Sequence, residues 1–167
     1  MDAAHFHLVS THFPIVGTII AIGILAYGLY SNNTTVKKVA LVTFIFMAIL
    51  TIPVFLSGEE AEETVEHIAG ISEHLIEEHE ELAEKAIWLM GLLGIFSLLS
   101  FYALLKKLSF AKVAVILTFV ISLATAGLFA KVGNLGGEIR HSEIRNDNSN
   151  LQGEDSNGII KHDDDDD

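Results

Sequence analysis

Eight histidines, His5, His7, His12, His67, His74, His79, His141 and His162, are the residues of this chain most able to do chemistry. A neutral imidazole can ligate a metal or a haem iron, and it titrates near neutral pH. The sequence has no cysteine. That excludes disulfides, thiolate metal sites, iron–sulfur clusters and covalent c-type haem attachment. No serine or cysteine nucleophile motif and no Gly-rich phosphate loop is present. The histidines therefore point to ligation, and a haem held without thioether bonds needs only one or two axial side chains.

Spacing separates the candidates. His79 lies four residues after Leu75 and three before Leu82, on the apolar stripe of a helix. Inward from it, Ala83, Ala86, Met90 and Gly94 share its face. His141 follows Gly133 and Gly137 at intervals of four, above Ala126 and Ala130. Such small-residue strips permit close helix packing, and they equally leave room for a flat cofactor. His79 and His141 are the first candidate pair, with Gly133 and Gly137 lining the slot. His12 and His7 come next, in the same site or at a second haem. His67 with Glu63, one turn apart, is a weaker metal pair. The Glu-x-x-His spacing of di-iron bundles occurs at Glu138–His141 only, which disfavours a symmetric di-iron centre. His74 and His162 are read as solvated.

The elements that must position these residues are apolar. Half of the 167 residues are hydrophobic and the mean hydropathy is +0.45. Four stretches, about 13–30, 36–56, 82–105 and 110–130, each approach the ~20 residues that cross a bilayer. Pro14 falls in the first turn of the first stretch, and Pro53 is expected to bend or end the second. The reading is an all-α integral membrane four-helix bundle spanning 1–145. An amphipathic helical loop, 57–81, lies outside the membrane, and a polar acidic tail occupies 146–167. Met1 to His12 carries no Lys or Arg, so the first stretch reads as a retained span rather than a signal peptide.

The formal net charge of -12 is local. Eleven Glu lie between Glu59 and Glu84, and five Asp close the tail. Nucleic acid is excluded as a partner, because phosphate binding needs clustered cations. Lys37 and Lys38 follow one short link, and Lys106, Lys107 and Lys112 flank the other. The positive-inside rule puts both links in the cytoplasm. Both termini, the 57–81 loop and every histidine then face the periplasm of a bacterial inner membrane.

The run His7-Leu-Val-Ser-Thr-His12-Phe-Pro-Ile15 resembles the opening of the bacterial membrane family designated domain of unknown function 2231. That family pairs two histidines five apart with four spans. It carries a Gly near the end of the second span, a His near the start of the third and a closing Gly-Gly-Glu. The matching positions are Gly58, His79 and Gly136-Gly137-Glu138, and the resemblance covers about 7–145. Its members resemble membrane components found beside or fused to c-type cytochromes, which implies a redox setting.

Three functions follow as expectations. The first is a b-type haem protein, with one or two haems, passing electrons at the periplasmic face. Its partner would be a periplasmic c-type cytochrome, steered by the acidic loop, or a larger respiratory or photosynthetic complex. The second is a cofactor-free accessory subunit of such a complex. The third is a single non-haem metal site using imidazole and carboxylate. An electron carrier or accessory subunit is favoured over an enzyme.

Overall fold

The computed structural model describes residues 3–65 and 73–140. It is an all-α bundle of four helices: α1 (Ala3–Tyr30), α2 (Thr34–Val65), α3 (Glu73–Leu105) and α4 (Ala111–Arg140). All four are long and apolar enough to cross a membrane, and the chain is a multi-pass membrane protein. Each helix packs on the next in sequence, and α4 returns to α1. Among the described residues, one end of the bundle carries His5, His7, His12, His74 and His79, and the other carries the lysine-flanked links.

The helices run past the apolar stretches at the histidine end. The α1 helix starts ten residues before Phe13, so Pro14 lies in its interior instead of its first turn. Likewise, α2 continues through Pro53 to Val65. A helical proline removes one i to i−4 bond, and a single missing bond does not stop a helix whose neighbours hold it. The segments 57–65 and 73–81, expected as part of a separate loop, are extensions of α2 and α3. They are rich in Glu, a good helix former.

Both links at the lysine end are built alike. Asn32 adopts a left-handed backbone (φ 51°), and so does Lys107 (φ 53°). Asn32 N–H donates to the Leu29 carbonyl and Asn33 N–H to Gly28, while Leu108 N–H donates to Ala103. These bonds close α1 and α3 in Schellman-type ends. Asn33 then caps α2, its Oδ1 accepting from Thr35 N–H (3.0 Å) and Val36 N–H (3.2 Å). The pattern is that of two similar helical hairpins, α1–α2 and α3–α4.

Apolar side chains alone do not drive helices together in lipid; small residues and hydroxyls carry the association. Gly17 admits the Met47 side chain of α2. A Cβ on Gly94 would stand 2.8 Å from the Ala48 Cβ, so α2 and α3 cross there almost backbone to backbone. Between α3 and α4, Ser100 and Thr118 share a 2.9 Å hydrogen bond, and Thr118 Oγ1 also donates to the Phe96 carbonyl at 3.2 Å. The large apolar side chains Ile19, Phe46, Ile95 and Val120 point outward, toward lipid.

Candidate functional site

Two of the histidines occupy matching seats at one end of the bundle. His7, on α1, lies over Gly58 of α2: a Cβ on that glycine would meet its Cε1 at 3.2 Å and its Nδ1 at 3.6 Å. His79, on α3, lies over Gly136 of α4 with the same atoms at 3.3 and 3.7 Å. In each hairpin the valine four residues before the glycine, Val54 or Val132, brings its carbonyl beside the ring. A side chain at either glycine would press on the imidazole. The two seats are therefore equivalent, one per hairpin.

The hydrogen bonds fix the chemistry of His7. Its Nδ1 lies 3.0 Å from the Val54 carbonyl and 3.1 Å from Ser57 Oγ. Ser57 Oγ itself donates to Val54 at 2.7 Å. A carbonyl can only accept, so Nδ1 carries the proton and the lone pair sits on Nε2. Anchoring one ring nitrogen on a carbonyl is how proteins orient a ligating histidine. His79 differs in one respect. Its Nδ1 is buried beside the Val132 carbonyl without forming a hydrogen bond of good geometry. The two rings also lie within electrostatic reach of each other.

The remaining candidates are placed differently. His12 is exposed, and its Nδ1 bonds the Leu8 carbonyl of its own helix at 2.8 Å. His5 and His74 are exposed. His141 and His67 lie outside the described residues, as does the side chain of Glu63. Gly133 approaches Ile15 of α1 at 4.0 Å, and a Cβ on Gly137 would meet nothing within 4 Å. Gly136 is the residue of α4 against the His79 ring. The inner part of the small-residue strip on α3 serves packing: Met90 is fully buried and Gly94 meets Ala48.

Val54, Ser57 and Val132 carry no signal of their own in the sequence. The recurrence of Val-x-x-x-Gly before an acidic residue, at Val54–Gly58–Glu59 and Val132–Gly136–Gly137–Glu138, is the pattern that points to them. Among the described residues no three His, Asp or Glu side chains gather as a metal cluster. A zinc ion takes three or four protein ligands, more than the two imidazoles of His7 and His79 supply by themselves. They are sufficient for a haem iron, whose four equatorial ligands come from the porphyrin. No family model, curated protein or solved structure matches this chain.

Proposed function

We propose that this chain is a b-type haem protein of the bacterial inner membrane, in which His7 and His79 would hold the haem iron. The observation that carries the reading is the duplicated seat: two imidazoles, one per hairpin, each over a glycine and beside a valine carbonyl. Bound there, haem supplies a one-electron carrier at the histidine end of the bundle. The chain's own part is to hold the His7 Nδ1 proton on Val54 and keep Nε2 available, while Gly58 and Gly136 leave room for the rings. The positive-inside rule places this end at the periplasm, where the acidic extension of α2 and α3 suits a basic c-type cytochrome or a larger redox complex. The resemblance to the family of unknown function 2231 agrees with a redox setting.

An optical spectrum of detergent-purified protein, expressed with haem available and read before and after dithionite, tests the proposal. A sharp reduced α-band is expected. His7→Ala and His79→Ala should each abolish or broaden it, and His12→Ala and His74→Ala should leave it intact. A protein without visible absorption sinks the haem reading. The second reading, a cofactor-free accessory subunit of a larger membrane complex, then takes its place.

A further inference from the structure

Beside the His79 seat, α3 and α4 part to form an open groove of about 580 Å³. Its floor is apolar, from Leu82 of α3 and Leu135 of α4, and its rim holds Glu78, Glu81, Lys85 and Lys131. Trp88, one turn below Lys85, is 75 % exposed. Exposed tryptophan gathers at the headgroup level of a membrane protein, so the groove opens at the boundary between acyl chains and water. Lys85 is held by Glu81 at 3.1 Å. Lys131 makes no ion pair among the described residues, and its stem can run along the floor while its ammonium stays at the rim.

We infer that this groove binds the headgroup of a zwitterionic phospholipid, phosphatidylethanolamine, with the phosphate at Lys131 and the ammonium at Glu78. Charge complementarity selects this occupant. Lys85 and Glu81 pair with each other, which leaves Glu78 of α3 and Lys131 of α4 as one negative and one positive charge on the two walls of the groove, matching a headgroup that carries one of each. An anionic lipid would meet the repulsion of both glutamates. A choline headgroup offers no N–H, whereas a primary ammonium has three donors for the carboxylates. The apolar floor, continuous with the lipid-facing sides of α3 and α4, takes the first part of an acyl chain. The inference does not depend on haem.

The full chain in detergent, exposed to phosphatidylethanolamine, phosphatidylcholine and phosphatidylglycerol of identical acyl chains, is examined by native mass spectrometry. Phosphatidylethanolamine should be retained about fivefold better than either competitor, the fold-change that about 1 kcal/mol from one exposed ammonium–carboxylate pair supplies. Lys131→Glu should lower the retention of all three lipids, since each carries a phosphate, while Lys112→Glu, at the opposite end of the bundle, should not. The double variant Glu78→Gln/Glu81→Gln should shift preference to phosphatidylglycerol. Circular dichroism confirms that each variant keeps its helices. Equal retention of the three lipids by the native chain, or unchanged retention by Lys131→Glu, overturns the inference.

Discussion

The α2–α3 crossing can be tested by adding a single methyl group. In Gly94→Ala the new Cβ would stand 2.8 Å from the Ala48 Cβ. Carbon atoms in comfortable contact are ~3.5–4.0 Å apart, so the helices must separate locally by roughly 1 Å. Neither methyl can rotate away, because each is fixed to its helix backbone. Overpacking of this kind costs about 1–3 kcal/mol, and replacing a helical glycine by alanine returns about 0.5–1 kcal/mol. The net expectation is a loss of roughly 0–2.5 kcal/mol. Gly91→Ala, three residues earlier on α3, is the internal control. Its Cβ meets nothing within 4 Å, so only the helix gain of about 0.5–1 kcal/mol applies. Unfolding in mixed dodecyl maltoside and SDS, followed by circular dichroism, measures both. The gap between the two variants isolates the steric cost. Equal stability of Gly94→Ala and Gly91→Ala would refute the close crossing. It would also undercut the spacing of α2, which seats His7, against α3, which carries His79.

The two imidazole seats should respond unequally to a methyl group. Gly58→Ala presses on a ring tied to Val54, and moving it breaks a hydrogen bond worth about 0.5–1.5 kcal/mol. Gly136→Ala presses on the His79 ring, which has no well-formed hydrogen bond to break, and should cost less, and Gly137→Ala should cost nothing; thermal melts in detergent rank the three. The buried hydroxyls divide in the same way. Thr18 Oγ1 and Ser97 Oγ have no partner among the described residues, so Thr18→Val and Ser97→Ala should be neutral or stabilising. Thr118→Val breaks the bridge to Ser100 and should cost about 0.6 kcal/mol or more; the same unfolding assay reads all of these. The absence of cysteine makes orientation simple to measure. In intact spheroplasts a membrane-impermeant maleimide should label Glu77→Cys and not Ser109→Cys, and the reverse pattern would invert the topology.

The sequence by itself determined the fold class. Four stretches of apolar residues in lipid can satisfy their backbones only as helices, and short links make neighbours antiparallel. It also marked His79 as inward-facing, because a seven-residue apolar stripe is a local property of one helix. What it misjudged were helix ends. Pro14 and Pro53 read as boundaries, yet a proline removes one hydrogen bond, and packing against neighbouring helices outweighs that loss. The pairing of histidines was beyond it altogether. Intervals of four from Gly133 through Gly137 to His141 define a face within α4, but they say nothing about what that face meets. Only the crossing of α3 and α4 brought Gly136 rather than Gly137 against His79, and only the packing of α1 on α2 tied His7 to the Val54 carbonyl. A ring 72 residues from its counterpart in sequence comes within electrostatic reach of it through the rotation of each helix about its axis. That rotation is fixed by contacts between helices, such as Gly94 on Ala48 and Ser100 on Thr118, and by no single helix alone.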